Sequence, residues 1–421
     1  MSAFVADWGA LEAADPEVAN ALARELERER TTLRLIASEN YTSRAVLAAV
    51  ASTMTNKYAE GYPGRRYYGG CEWVDVVETL AIERAKRLLG AEHANVQPHA
   101  GATANLAVLG AFLDPRSEDS VLGMSLAHGG HLTHGSPVNV SGRWFRFVPY
   151  EVERDTEVLD MDRVRDLALE HRPRIVLAGY TAYPREIDFG AFRAIADEIG
   201  AILWVDASHF IGLSAGGAYP NPTPFADVVT FTTHKTLRGP RGAAIVCRAE
   251  HAKAIDKAVF PMMQGGPLEN VVAAKAVAFR EAMEPAFSEY AARAVRTARA
   301  LAIALAEEGI RPVAGGTDSH LVLADVRPIG VGGREAEALC DAVGIAINKN
   351  SIPFDAMPPQ DPSGIRVGTP AVAAIGMDEA EMKEVAVTVG EALRGRGDSA
   401  VEATCRARVA GLMARFPVYP G

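Results

Sequence analysis

The chain has 421 residues, 48% of them hydrophobic and 23% charged, which is enough for one large domain plus a smaller one and a sizeable buried core. A formal charge of −10 at pH 7, with no run of Lys or Arg longer than two, argues against a phosphate-backbone ligand such as DNA or RNA. Cys71, Cys247, Cys340 and Cys405 are scattered without a C-x-x-C pair, so no zinc site or disulfide framework is signalled and a reducing cytoplasm fits best. In chain order, Met1 to Arg30 is rich in Ala and Glu, lacks a basic n-region followed by an apolar block, and reads as a surface helix or arm. No later stretch approaches the roughly 18 to 20 apolar residues that span a bilayer, so no membrane partner is expected. The spacing then predicts a helix over Val76–Leu89, a strand over Ser120–Met124, a helix over Asp162–Glu170, a strand over Arg174–Leu177, a helix over Phe189–Ile199 and a strand over Ala201–Val205. Such alternation is the pattern of βα units around a mostly parallel sheet, whose ligands bind at the carboxyl ends of the strands. Thr181, Asp206 and Lys235 all follow apolar runs. A helical stretch over Leu268–Glu308, broken at Pro285, leads into a strand over His320–Asp325 and a helix over Arg334–Val343, a second small α/β domain with its boundary near residue 280. Gly212–Pro224 and Ser351–Gly364 read as ordered loops.

The segment Asp227 to Gly242 carries the most information, because an apolar strand there ends in Thr232-Thr233-His234-Lys235. Most lysines at strand ends simply reach for water. Desolvation and nearby cations can instead lower the amine pKa and make the lysine a Schiff-base former with an aldehyde cofactor. A second strand, Ala201 to Val205, ends in Asp206, with His209 three residues on. An anionic Asp under a pyridinium ring keeps the ring nitrogen protonated and the ring an electron sink. Taken singly, Asp206 reads more readily as a helix cap and His209 as a satisfied core histidine. The segment Gln97 to Leu106 places small residues ahead of an apolar helix, a shape that suits a phosphate. His128, His131 and His134 lie close in sequence, but no carboxylate or cysteine joins them in the segment, and a flat ring to stack on explains an imidazole as well as a metal does, so no metal is expected.

Together these residues resemble serine hydroxymethyltransferase, a fold-type I pyridoxal-phosphate family. The resemblance runs from Leu33 to about Met382 through Leu35-Ile-Ala-Ser-Glu-Asn40, Asn56 to Cys71, Leu126 to His134, Thr232 to Gly242, Gln264-Gly-Gly-Pro-Leu268 and Ser363 to Pro370. It implies an α/β fold with a mostly parallel seven-stranded sheet, divided into an N-terminal helical arm (1–35), a large cofactor-binding domain (36–280) and a small C-terminal domain (281–421). It further implies that Lys235 holds the aldehyde, that Asp206 pairs with the ring nitrogen and that His131 stacks on the ring. His209 and Thr181 would flank the ring oxygen, Ser208 would lie on the face opposite His131, and Gly101, Ala102 and Thr103 would form the phosphate turn. Arg366 and Ser38 would take the substrate carboxylate, and Glu60 would act as acid and base near the substrate hydroxyl. Tyr58 and Tyr68, with Gly265 and Gly266, would complete a neighbouring subunit's site, so the implied assembly is a homodimer with shared sites, or a tetramer of such dimers. Tyr67, Leu126, Gly130, Leu132, Asn350 and the partner's copy of Phe260 would line a pocket for tetrahydrofolate, the one-carbon acceptor for L-serine cleavage to glycine.

Departures from the family pattern cluster around the cofactor. Ala100 and Ala102 stand where serines are usual and Thr103 where glutamine is usual, so cofactor binding is expected to be weakened, each lost hydroxyl contributing roughly 0.5 to 1.5 kcal/mol. Ser208 replaces a small apolar residue, Thr181 a serine, Met262-Met263 a small pair, and Glu269-Asn270 a Met-His pair. Glu60, Tyr67 and Asn350 favour folate-dependent serine–glycine exchange. Ser208 and the alanine turn favour a specialised relative acting on α-methyl-L-serine and D-alanine, or a folate-independent threonine-type aldolase. A non-catalytic binding protein is the third class, against which Lys235, Asp206, His131 and Arg366 speak.

Overall fold

In the computed structural model, which describes residues 7–420, the described chain forms two compact units. One spans Thr42–Ala291; the other runs through Tyr41 and resumes at Ala292.

The Thr42–Ala291 unit is built on a seven-stranded sheet of β1 (His93–Asn95), β2 (Ser120–Met124), β3 (Arg146–Tyr150), β4 (Ile175–Gly179), β5 (Ile202–Asp206), β6 (Val228–Thr232) and β7 (Ala243–Cys247), ordered β1-β7-β6-β5-β4-β2-β3. Neighbours from β6 to β3 pair in parallel, and β7 alone runs against both of its neighbours. Every residue of β2, β4, β6 and β7 is buried, as expected for sheet strands covered on both faces. Helices between them start and stop where local chemistry dictates. Asp188 accepts from the Ala191 N–H to open Phe189–Ile199, and Gly200, at φ 69°, closes it. Glu72–Leu89 begins a turn earlier than its apolar spacing indicates, with Glu72 and Asp75 in the first turn. The strands β1, β3 and β7 were not anticipated: β1 has three residues and β3 is only partly buried, with Arg146 and Pro149 exposed. Gly212–Pro224 opens as a helical turn, Ile211–Ala215, rather than as loop throughout.

The second unit holds a four-stranded antiparallel sheet of β8 (Arg311–Pro312), β9 (Leu321–Asp325), β10 (Asn348–Asn350) and β11 (Gly364–Gly368), ordered β8-β9-β11-β10. The N-terminal segment belongs to this unit instead of standing apart as an arm ending at 35. Leu33 and Arg34 pair in parallel with Ile345 and Ala346, and Leu33 and Leu35 are fully buried in its core. The other division falls at Ala291, inside the helix Pro285–Glu307, where continuous helical periodicity gives no sign of a boundary at 280 or anywhere near it. No described helix is long and apolar enough to cross a membrane.

Candidate active site

Four of the candidate residues follow parallel strands at one end of the sheet. Asp206 ends β5 and pairs across to Gly179 of β4 and Thr230 of β6, so Thr181 and Lys235, two and three residues past their strands, leave from the same edge. His131 follows β2 on the same side through the short turn Leu126–His128.

Asp206 is 4% exposed and accepts three hydrogen bonds. Asn105 Nδ2 donates to Oδ2 at 2.8 Å, His134 Nε2 donates to the same oxygen at 3.0 Å, and the Ser208 N–H reaches Oδ1 at 3.1 Å. Burial alone would disfavour the carboxylate. The His134 hydrogen bond, the neighbouring imidazoles of His134 and His131 and the Ser208 contact outweigh it and hold the group well below the usual carboxylate range. His134 Nδ1 accepts from the His131 N–H at 3.2 Å, which fixes the tautomer with the proton on Nε2, facing Asp206.

A second chain of hydrogen bonds links Asp206 to His131. Asn105 Nδ2 also donates to Thr133 Oγ1 at 2.8 Å, and Thr133 Oγ1 lies 2.7 Å from His131 Nδ1. Ligand atoms of His131, His134 and Asp206 lie within 4.8 Å of one another. With His134 Nε2 donating to the carboxylate and His131 Nδ1 engaged by Thr133, the group is already a hydrogen-bonded network. Asn105 and Thr133 had no role in the sequence reading, and His134 entered it only as one of three clustered histidines, because Asp206 and the Asn105–Thr133 contact lie dozens of residues away in the chain.

Lys235 is 9% exposed, in a turn held at both ends. Thr233 Oγ1 donates to the Pro240 carbonyl at 2.6 Å, and Thr236 Oγ1 donates to the His209 carbonyl and accepts from the Gly212 N–H, both at 3.0 Å. A Cβ on Gly212 would lie 2.2 Å from the Thr236 carbonyl carbon, so only glycine allows this approach. His209 is buried, its ring tilted against Tyr180 with centroids 6.4 Å apart. The helix Gly101–Phe112 starts from extended Ala100 with no side-chain cap, leaving its first N–H groups to other partners. A Cβ on Gly101 would meet Thr232 Cγ2 at 2.7 Å, which keeps the turn bare.

The sequence model of the family described as serine hydroxymethyltransferase matches residues 11–389. The chain belongs to this family. Relatives named serine hydroxymethyltransferase include proteins from Synechococcus sp. (strain JA-3-3Ab), 56% identical over 419 residues with 96% of each chain covered, and Koribacter versatilis (strain Ellin345), 55% identical over 406 residues with 96% of this chain and 95% of the relative covered. Another, from Coprothermobacter proteolyticus, is 55% identical over 411 residues, with 98% of both covered. As a member of the serine hydroxymethyltransferase family the chain is a fold-type I transferase, and the mostly parallel seven-stranded sheet is the one expected.

A separate group of candidate residues gathers on the two-strand ribbon of Gly61–Tyr62 and Arg65–Arg66 and its flanks. Tyr58 OH reaches Glu60 Oε1 at 3.4 Å, Tyr58 and Tyr68 meet edge to face at 5.2 Å, and the Glu60 charge holds the Tyr68 phenol above its ordinary value. The Gln264-Gly265-Gly266 turn packs here: a Cβ on Gly265 would lie 2.9 Å from Glu60 Oε1, and one on Gly266 would lie 3.3 Å from the Tyr58 ring. Tyr67 stacks edge-on against Phe260 at 5.8 Å. Tyr58, Tyr67 and Tyr68 are 55%, 76% and 46% exposed, as are Leu126 and Leu132 at about half, whereas Gly130 is buried. Ala102 is exposed and Thr103 half-buried.

In the second unit, Arg366 on β11 is 7% exposed and donates from Nε to Asn348 Oδ1 at 3.1 Å; burial pushes its guanidinium down to about 10. Asn350 ends β10 and Ser38 is half-buried. Among the departures, Ser208 Oγ accepts from the Thr232 N–H at 3.2 Å, so its added hydroxyl satisfies the end of β6. Met262 packs its methyl group onto Gly110, and Asn270 Nδ2 donates to the Val50 carbonyl at 2.8 Å.

Proposed function

We propose that the protein transfers the hydroxymethyl carbon of L-serine to tetrahydrofolate, forming glycine and 5,10-methylenetetrahydrofolate, with pyridoxal 5′-phosphate held on Lys235. The observation that carries this reading is Asp206, a buried carboxylate kept ionised at the carboxyl edge of the parallel sheet, beside the strand that leads to a buried lysine. The full-length likeness to chains of that name supports the substrate pair. The residues present also fit the cofactor chemically, with an uncapped helix N-terminus whose glycine leaves no room for a side chain, a stable anion and an amine.

When bound, pyridoxal phosphate supplies the electron sink for breaking a bond at the substrate α-carbon. The chain's own groups bind, orient and move protons. Lys235 would hold the cofactor through its buried amine. Asp206 would pair with the ring nitrogen and keep it protonated, and the Asn105–Thr133 bridge orients His131, which would stack on the ring. His209 and Thr181 would flank the ring oxygen, Ser208 would border the opposite face, and the N–H groups of Gly101, Ala102 and Thr103 would take the phosphate. Arg366, with Ser38, takes the α-carboxylate as a planar bidentate donor. Glu60 handles the proton of the substrate hydroxyl, aided by Tyr68, while Tyr67, Leu126, Gly130, Leu132, Asn350 and Phe260 receive the folate. Tyr58, Glu60, Tyr67, Tyr68, Gly265, Gly266 and Phe260 serve a neighbouring subunit, which makes the working unit a homodimer. Their grouping on an exposed ribbon supports that assignment.

The test is glycine formation from L-serine by the cofactor-loaded protein with and without tetrahydrofolate, run beside D-alanine formation from α-methyl-L-serine. Rapid folate-dependent glycine release is expected. Slow glycine with ready D-alanine would overturn the serine reading. The Ser208 hydroxyl, engaged by the Thr232 backbone, gives no support to such a redirected pocket.

A further inference from the structure

The ribbon that carries Tyr58, Glu60, Tyr67 and Tyr68 is anchored by Arg66. Its side chain is 3% exposed and donates from Nη1 to the Ala59 and Gly61 carbonyls at 2.8 and 3.0 Å, from Nε to Asp75 at 2.8 Å and from Nη2 to Glu78 at 2.6 Å. Gln97 Nε2 closes the same knot, donating to the Gly61 carbonyl and to the other Glu78 oxygen, both at 2.8 Å. Against this knot lies Glu269, in the first turn of the helix Glu269–Ala282 and 1% exposed.

Glu269 is one of the departures from the family pattern, and its environment is unusual for a carboxylate. Its Oε1 is 3.6 Å from Arg66 Nη2, its carboxyl contacts that of Glu78, and no hydrogen-bond donor reaches either oxygen among the described residues. The facing charges are Arg66 on the ribbon, Asp75 and Glu78 on the helix Glu72–Leu89, and Lys275 on its own helix. Lys275 spends its amine on the carbonyls of Val96, Pro98 and Ala243. Two adjacent buried carboxyls cannot both ionise cheaply. Glu78 has Arg66 and Gln97 as donors and Glu269 has none, so the shared proton belongs on Glu269, which then donates to Glu78.

We propose that Glu269 is a positioning residue: as a neutral acid donating to Glu78 it keeps Arg66 paired with Asp75 and Glu78, and so fixes the ribbon for the transfer reaction. The inference rests on the function proposed above. Burial, then the Glu78 charge, pushes the Glu269 carboxyl up to about 8. Above that pH a single guanidinium faces the two buried carboxylates of Glu78 and Glu269 together with the half-buried Asp75, and the ribbon loosens. The stability contribution has the same sign: a raised folded-state value means it is full below the ordinary carboxyl value of about 4.3 and is lost as pH rises through about 8.

The experiment compares the full-length, cofactor-loaded parent with Glu269→Gln, whose amide donates to Glu78 at any pH. Between pH 7 and pH 9 the parent's kcat/KM for L-serine is expected to fall about tenfold relative to the variant, matching the loss of the neutral form. Hydrogen exchange across residues 58–68, corrected for intrinsic rate, should rise over the same range in the parent only. The infrared band of a protonated carboxyl, present in the parent at pH 7, should bleach on alkalinisation and be missing from the variant. A parent without that band, or two proteins with one pH profile, would overturn the assignment. If neither protein turns over L-serine, the proposed reaction fails while the band and the exchange still decide the role of Glu269. Should the variant fail to fold, titration of the parent's band decides it alone.

Discussion

At the scale of single residues, the centre is governed by hydrogen bonds between groups far apart in sequence. Thr133 is 1% exposed and joins Asn105 to His131, so it couples the orientation of the imidazole proposed to stack on the cofactor to the Asp206 carboxylate. Replacing its hydroxyl with a methyl leaves the Asn105 donor and the His131 ring without that partner, a penalty of about 1 to 3 kcal/mol in a buried place. Thr133→Val is therefore expected to lower kcat for glycine formation about tenfold while the protein remains folded by circular dichroism. An unchanged kcat would show that the link is packing only. The sequence already made Lys235, Asp206 and Thr181 conspicuous, since each follows an apolar run. It gave no equivalent sign for Thr133 or Asn105, and none that His134 pairs with Asp206, because these contacts join atoms 28 to 101 residues apart.

At the scale of elements, the lysine turn depends on a close approach between two of them. The Gly212 N–H donates to Thr236 Oγ1, and the Gly212 Cα faces the Thr236 backbone with no space for a methyl group. Gly212→Ala forces the Ile211–Ala215 helix away from the turn and should destabilise the fold by about 1 to 3 kcal/mol, as overpacking does. Calorimetry would record a lower Tm, and titration would record weaker uptake of pyridoxal phosphate. A variant with parental Tm and affinity would mean the turn is more pliable than its three threonine-centred hydrogen bonds indicate. Elements with strong local signals were legible, such as Phe189–Ile199 between its Asp cap and its glycine stop. The three-residue β1 and the partly exposed, proline-containing β3 were not, because their strand character is conferred by neighbours in the sheet.

At the scale of the whole molecule, the exposed ribbon with Tyr58, Tyr67 and Tyr68 is the feature that bears on assembly. If the ribbon serves a neighbour's lysine, two damaged chains can restore one site between them. Inactive Lys235→Ala and inactive Tyr68→Ala chains, mixed equally, unfolded and refolded with cofactor, are expected to regain about a quarter of parental activity, since half the dimers are mixed and each of these has one intact site. Absence of any regain, with mixed dimers confirmed by native mass spectrometry, would place each site within one chain.

The sequence by itself determined the fold class, the order of the βα units and the positions at which chemistry could be placed, because apolar periodicity, caps and glycine stops act over a few residues. It could not divide the chain into its two units. Continuous helical spacing hides the division within Pro285–Glu307, and the burial of Leu33 depends on pairing with Ile345, more than three hundred residues later. Tertiary structure alone decided which carboxyls are charged. Asp206 and Glu269 are both buried acids, and only the donors folded around the first, and missing around the second, make one a fixed anion and the other a proton holder.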